Sequence, residues 1–323
     1  MPDKSSRWDP LAYAGVLLAE AAYAVLTIMA PRTPSQNALG LTPLQLMLLQ
    51  LTIVVPYMVA WLAGTRGALG FKSCSEMIPE AEGGRGFRGF GFGVAMLVAG
   101  SLLTALIGAW RPFAAPGSAA VVAVTIVNNY VYVLTSLLAS VFMFRGAGRL
   151  VGKDANRAYG RDDLVMAVIL GVVIAGLYAP LVYTNPSRQV SLNAAVAASY
   201  YLPDALIALT IILPFIVAWT LGFMTAMRIA RYAPPGRDPR QKKAVRKFVN
   251  GLWMTLFSSI LLQLLVSIGT DRLLALGLGS ILALIYVFII LQIAGFALIS
   301  AGSNRFCRFA EPERRLEVKA VPL

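Results

Sequence analysis

Histidine is absent from this chain of 323 residues, and charged residues are scarce, at 13 % of the total. The absence of histidine excludes zinc and haem sites with imidazole ligands, and it excludes Ser-His-Asp and Cys-His catalytic groups. A soluble domain has about a quarter of its residues charged, so the low charge content argues against a soluble protein. The chain is instead rich in apolar residues, at 58 %. This composition is typical of an integral membrane protein.

Long apolar segments follow one another along the chain, and Glu20 is the only ionisable residue well inside any of them. About 20 apolar residues suffice to cross the bilayer core as an α-helix, and each segment reaches that length. A membrane β-barrel would show short alternating segments instead. The sequence therefore predicts an all-α integral membrane protein with eight transmembrane helices, at residues 10–30, 43–64, 89–110, 119–144, 163–184, 204–227, 247–268 and 273–300.

Basic residues are divided unequally between the two sets of loops: one side holds 24 Lys and Arg, and the other holds four. Cytoplasmic loops carry the excess of Lys and Arg, so we predict that both termini are cytoplasmic in a plasma (inner) membrane. The basic segment 228–247 lies on this side, where anionic lipid is the expected partner. The predicted membrane topology thus accounts for the excess of positive charge, and we expect no nucleic-acid partner. A protein partner is left open.

Two segments outside the predicted spans are expected to be a loop and a tail. Residues 83–88 begin a glycine-rich stretch that has neither a GK[ST] triplet nor a preceding strand, so it is not a nucleotide-binding loop. The C-terminal residues 311–323 have mixed charge and are expected to form a loose tail. Cys74 and Cys307, the only cysteines, fall on the cytoplasmic side, where a disulfide is not expected.

An internal repeat is the most specific feature of the sequence. Residues 51–64 read LTIVVPYMVAWLAG, and residues 209–222 read LTIILPFIVAWTLG. Shared apolar composition does not explain a match of this quality. The prediction is two four-helix repeats, at residues 1–150 and 151–323. Each repeat has an even number of spans, so the two are parallel and related by an axis along the membrane normal.

Each copy of the repeat carries a threonine four residues before a proline, at Thr52 and Pro56 and at Thr210 and Pro214. A proline inside a helix leaves the carbonyl four residues earlier without its hydrogen-bond donor. We therefore predict a kink in the second and sixth spans. The kinks are interpreted either as hinges beside a cavity or as a feature of helix packing alone.

A polar site at the bilayer midplane is predicted from Glu20 and a polar stripe on the fourth span. The stripe includes Asn128, Asn129 and Tyr132, and Asn128 is expected at about the depth of Glu20. A carboxyl group at this depth is costly when charged, so it usually faces the helix bundle and has a partner. One hypothesis is a proton- or cation-responsive site, and the other is a neutral carboxyl that joins two helices.

Two functions follow from these features. The first is a small-solute or ion transporter with a midplane polar site, and the alternative is a non-transporting subunit or scaffold of a larger complex. We expect no enzymatic activity and no cofactor, because no catalytic group of residues and no metal-ligand spacing is present. A water-accessible cavity at the midplane would favour the transporter, whereas a packed midplane would favour the scaffold.

Overall fold

The computed structural model describes residues 9–31, 42–77, 82–113, 119–157, 168–174, 213–232, 239–268 and 278–319, together with Val165, Gly176 and Thr210. These residues contain helices and no β-strand. The α-helices are α1 (Pro10–Met29), α2 (Pro43–Met77), α3 (Glu82–Trp110), α4 (Ala119–Arg157), α5 (Leu213–Tyr232), α6 (Pro239–Ile268) and α7 (Leu278–Lys319). A 3-10 turn, Arg111–Phe113, follows α3, and residues 168–174 are also helical.

Six of the described helices are long and apolar enough to cross a membrane: α1 to α5 and α7, within Pro10–Met29, Pro43–Glu76, Gly84–Trp110, Tyr130–Leu150, Leu213–Ala230 and Leu282–Ser303. Large apolar side chains such as Leu11, Leu18 and Ile290 are exposed on them, as expected for surfaces that contact lipid. For the described residues, the prediction of an all-helical fold with helices long and apolar enough to span a membrane is thus confirmed. The total of eight spans stays a prediction, because most of the fifth span lies outside the described residues and α6, which contains the predicted seventh span, is not among the six helices.

Several helices are longer than the predicted spans. Helix α2 has 35 residues, which is about 52 Å of rise, whereas the bilayer core is about 30 Å thick. The expected loop at residues 83–88 was wrong, because α3 already begins at Glu82. The expected loose tail was also wrong as far as Lys319, the last residue of α7. Apolar windows mark only the membrane-spanning part, and the Lys, Arg and Glu residues beyond it are good helix formers.

Glycine lets α3 and α4 come into backbone contact. A Cβ atom on Gly146 would lie 2.7 Å from the Gly86 carbonyl oxygen, and one on Gly89 would lie 2.9 Å from the Phe142 carbonyl oxygen. The glycine-rich segment is therefore a packing surface. Close approach through small residues is a common way for membrane helices to associate. Helices α6 and α7 meet in the same manner, since a Cβ on Gly251 would lie 2.8 Å from the Gly295 carbonyl oxygen.

The helices α2 to α7 form a closed cycle, in which each packs against the one before it and the one after it, and α7 packs against α2. Helix α1 lies outside this cycle against α2 and α3. It begins with an N-cap, because the Asp9 carboxylate accepts a hydrogen bond from the Ala12 backbone at 3.3 Å. The same carboxylate lies 3.4 Å from the Lys72 ammonium group, which places the start of α1 beside the end of α2.

Most of the exposed basic side chains gather at that end of the molecule, on α2, α3, α4 and α6. Beneath them a cluster of buried phenylalanines joins α2, α3 and α6. The ring of Phe248 lies 5.2 Å from that of Phe71 and 5.1 Å from that of Phe90, both edge to face. Such pairs stabilise packing by about 0.5–1.5 kcal/mol beyond burial alone. The exposed basic residues are Arg66, Lys72, Arg85, Arg88, Arg145, Arg149, Lys242, Lys243 and Arg246.

Cys74 also lies at this end and is disulfide-bonded, so the expectation of no disulfide was wrong. Helix α7 runs beside the end of α2 here, with the Cys74 sulfur 3.7 Å from the Ser303 carbonyl oxygen. The expectation rested on the assigned side of the membrane. The approach of two helices distant in sequence is a feature of the tertiary fold that cysteine spacing does not reveal.

We expect Gly146→Ala to lower the thermal unfolding midpoint in detergent. The added methyl group would meet backbone atoms of α3, and overpacking of this kind costs about 1–3 kcal/mol. Gly108→Ala is the matched control, because no atom of the described residues lies within 4 Å of a Cβ there. In that helix alanine is favoured over glycine by about 1 kcal/mol, so the control should not lose stability. Equal midpoints for the two variants would contradict the close contact of α3 with α4.

Candidate functional site

Glu20 is the only buried residue of α1, and its exposed fraction is 0 %. Neither oxygen of its carboxyl group has a hydrogen-bond partner within the described part of the chain. The neighbouring residues Val16, Ala19 and Tyr23 pack against the main core, and the Tyr23 ring meets the Trp61 ring edge to face at 5.3 Å. Glu20 therefore faces the bundle, on the side of α1 that packs against α2 and α3.

The polar stripe predicted on the fourth span lies on α4, and its members have different surroundings. The Asn128 Oδ1 atom is buried without a hydrogen-bond partner among the described residues. The Tyr132 hydroxyl lies 3.0 Å from the Ser259 hydroxyl of α6, and the Tyr132 ring packs on Phe215. The side chain of Asn129 lies outside what the structure describes. No hydrogen bond among the described residues joins Glu20 to this stripe, so their association stays a prediction.

Two tryptophans, 158 residues apart in the sequence, make the same hydrogen bond. The Trp61 indole N–H donates to the Ser101 hydroxyl at 3.0 Å, and the Trp219 indole N–H donates to the Ser259 hydroxyl at 3.4 Å. Each serine also contacts a helix from the other part of the chain. Ser101 accepts from the Gln292 amide at 3.2 Å, and Ser259 pairs with Tyr132 as described above.

The two predicted kink positions are linked to helices of the opposite part of the chain. The Thr52 hydroxyl donates to the Leu49 carbonyl at 2.7 Å, so the Tyr286 hydroxyl is the donor in its contact with Thr52. The Thr210 hydroxyl lies 2.8 Å from the Tyr130 hydroxyl. Each threonine before a proline is thus bonded to a tyrosine on α4 or α7.

The helix that contains Pro56 continues from residue 43 to residue 77. In the other copy, Thr210 has π-helical geometry and Pro214 is the second residue of α5. A π-helical turn is one of the known causes of a helix kink. Residues 211 and 212 lie outside the described residues, so the predicted pair of kinks stays a prediction.

Tyr130 and Tyr286 were missed by the sequence analysis. They stand 156 residues apart, in the similar segments YVYVL (130–134) and YVFII (286–290). Comparison of α4 with α7 at this offset would have found them. The tryptophans lie 158 residues apart and the tyrosines 156 residues apart. A search for repeats at the spacing of the tryptophans therefore does not find the tyrosines.

A small cavity lies among α3, α4, α5 and α6, with a volume of about 30 Å³. Its lining includes five hydroxyl side chains, Ser136, Ser140, Thr225, Thr255 and Ser259. A larger groove, of about 360 Å³, lies between α3 and α4 near Trp110 and Val127, and all of its lining residues are apolar. The polar side chains therefore line the small cavity, whereas the larger groove is lined by apolar residues.

Six helices that are long and apolar enough to cross a membrane, with buried polar groups between helices, are features of a multi-pass α-helical membrane protein. Comparison with known proteins finds no matching protein family, no similar curated protein and no similar solved structure.

We expect Ser101→Ala to lower the free energy of unfolding by about 1–3 kcal/mol, because the variant leaves the buried Trp61 N–H without an acceptor. Unfolding in detergent, followed by tryptophan fluorescence, measures the change. Ser258→Ala is the control, since Ser258 is more buried than Ser101 and has no hydrogen bond among the described residues. If the Ser101 and Ser258 variants lose the same stability, the hydrogen bond from Trp61 is not stabilising.

Proposed function

We propose that the chain transports a small ion or solute across a membrane, and that Glu20 is the ionisable group of the transport site. The observation that carries the proposal is the complete burial of this carboxyl group with neither oxygen hydrogen-bonded in the described part of the chain. An ionisable residue inside a membrane is costly and commonly marks an ion or proton pathway. A carboxyl group held only for structure would normally be hydrogen-bonded.

In this proposal Glu20 binds a proton or a small cation and releases it when α1 moves relative to α2 and α3. A neutral carboxylic acid or a carboxylate with a bound cation is stable in an apolar setting, whereas a bare carboxylate is not. Helix α1 suits such movement because most of its side chains are exposed and it lies outside the cycle of α2 to α7. Asn128, whose buried side-chain oxygen has no hydrogen-bond partner among the described residues, is proposed as a further group of the pathway.

The proposal includes two parallel four-helix halves, residues 1–150 and 151–323. Three matched contacts support it. The Trp–Ser bonds and the Thr–Tyr bonds each occur twice, and the ring distances from Tyr57 to Trp61 and from Phe215 to Trp219 are both 5.5 Å. The fourth helix of each half packs against the second helix of the other half, since α4 packs on α5 and α7 on α2. This exchange is what a two-fold axis between the halves produces.

We further propose that both termini are cytoplasmic, that the membrane is the plasma (inner) membrane, and that anionic lipid contacts the basic end. Exposed lysine and arginine on α2, α3, α4 and α6 support this orientation. Each basic residue near an anionic surface contributes about 1 kcal/mol. The disulfide of Cys74 argues against this orientation, because disulfides are rare in the cytoplasm. We give the charge asymmetry more weight, since it is distributed over the whole chain.

The second candidate function is a non-transporting subunit or scaffold. The size of the hydroxyl-lined cavity favours it, since about 30 Å³ is far below the 300–1,000 Å³ of ordinary small-molecule sites. The exposed basic end would then bind an acidic protein partner. We propose no enzymatic activity for either candidate, because Glu20 has no second carboxyl or nucleophile bonded to it within the described residues.

We expect purified protein in liposomes to carry protons or alkali cations, and Glu20→Gln to reduce the flux to that of empty liposomes. An enclosed pH-sensitive dye and a potassium gradient with valinomycin measure proton entry, and sodium and potassium gradients test the cations. The amide keeps the size of the side chain but can neither ionise nor neutralise a cation. Glu76→Gln is the control, because Glu76 is an exposed carboxylate near the end of α2.

Flux that is equal in wild type and Glu20→Gln would assign transport to other residues and remove Glu20 from the site. Absence of flux in the wild type, under all three gradients, would favour the scaffold function. A Glu76→Gln variant as inactive as Glu20→Gln would show a general effect of carboxyl removal and would also contradict the proposal.

The orientation is tested with two single-cysteine variants made after Cys74 and Cys307 are replaced by serine. We expect an impermeant maleimide to label Phe113→Cys in intact cells, and to label Arg246→Cys only after the cells are permeabilised. Both positions are exposed, at opposite ends of the helices. The reverse pattern would place the basic end outside the cell.

A further inference from the structure

The hydroxyl-lined cavity lies between the two parts of the chain, with α3 and α4 on one side and α5 and α6 on the other. Ser136 and Ser140 of α4 are 8 % and 5 % exposed, and both belong to the cavity lining. A buried hydroxyl group is favourable only where it has a hydrogen-bond partner, and a molecule in the cavity could be one. These two groups both line the same cavity.

The other hydroxyl groups of the cavity have lone pairs available. Thr225 donates its proton to the Leu221 carbonyl, and Thr255 donates to the Gly251 carbonyl. A hydroxyl has one donor and two acceptor positions, so after these bonds each threonine offers only acceptors. Ser136 and Ser140 offer a donor as well. The lining therefore suits a small uncharged molecule that both donates and accepts hydrogen bonds.

The equivalent place in the other part of the chain is filled. At the spacing of 156 residues that relates Tyr130 to Tyr286, Gln292 corresponds to Ser136, and Phe296 corresponds to Ser140. The ring of Phe296 would lie 2.9 Å from a Cβ on Gly64, and the Gln292 amide donates to Ser101. Large side chains thus occupy the volume beside Trp61, whereas small hydroxyl side chains leave a cavity beside Trp219.

We propose that this cavity is a hydration site that holds about two water molecules at the interface between the two parts of the chain. A buried water needs about 10–15 Å³ of such volume and two to four polar partners, and the cavity supplies both. The site lies apart from Glu20, and the proposal does not depend on transport through that residue. It assigns a ligand to the hydroxyl groups of Ser136 and Ser140, which line the cavity.

X-ray radiolysis in ¹⁸O water tests the proposal, because radicals formed from bound water oxidise the side chains beside it. Met143 and Trp219 line the cavity and are only 3 % and 2 % exposed. We expect both to gain ¹⁸O at least several-fold faster than Met224 and Trp61, which are also buried and lie outside the lining. Mass spectrometry of peptides from the whole protein in detergent or nanodiscs gives the four rates.

Equal rates for Met143, Trp219 and the two controls would mean a dry cavity and would overturn the proposal. We also expect Ser136→Ala with Ser140→Ala to reduce labelling of Met143 to the control rate, while Ser258→Ala leaves it unchanged. Unchanged labelling in the double variant would show that the serine hydroxyls do not hold the water. These measurements need no transport activity, so they can fail or succeed independently of the liposome assay.

Discussion

Backbone contact between helices at glycine is the interaction on which the rest of this fold depends. Lipid tails are as apolar as leucine, so membrane helices gain little from apolar burial against each other and associate through close packing and hydrogen bonds. In α3 and α4 the contacts of Gly86, Gly89 and Gly146 allow the two backbones to touch. Gly251 and Gly295 do the same for α6 and α7. Helices α2 and α5 pack between these two helix pairs.

The hydrogen bonds follow from this arrangement. Once α3 is held against α4, and α6 against α7, each tryptophan of α2 and α5 reaches a serine one helix away. The serines then meet polar groups of the opposite pair, Gln292 and Tyr132. The cross-contacts of Thr52 with Tyr286 and of Thr210 with Tyr130 add a second level of bonding. Within the described residues, side-chain hydrogen bonds thus join the two parts of the chain at two places, one beside the tryptophans and one at the threonines.

Sequence reasoning could find the helical class and the repeated segment, because both depend on local composition and pattern. It could not find helix ends, because α2 and α7 continue as helices where hydropathy falls. Sequence reasoning identified Glu20 but could not identify a hydrogen-bond partner for it. The position of a residue along its helix gives its depth in the membrane but not which helices are its neighbours. Tyr132 was selected as part of a stripe with Asn128, yet its hydroxyl pairs with Ser259 of α6. Contacts of this kind are set by tertiary packing.

Differences between the two parts of the chain carry the functional argument, because matched residues are explained by packing alone. At Trp61 and Trp219 the chain makes one bond twice, and a requirement for stability accounts for both copies. At Ser140 and Phe296 the same place is open in one part and filled in the other. At Glu20 a carboxyl group is buried, whereas Gly176 stands 156 residues later, and no described atom lies within 4 Å of a Cβ position there. Within the described residues, packing between matched helices explains neither the carboxyl of Glu20, which has no hydrogen-bond partner there, nor the hydroxyl-lined cavity.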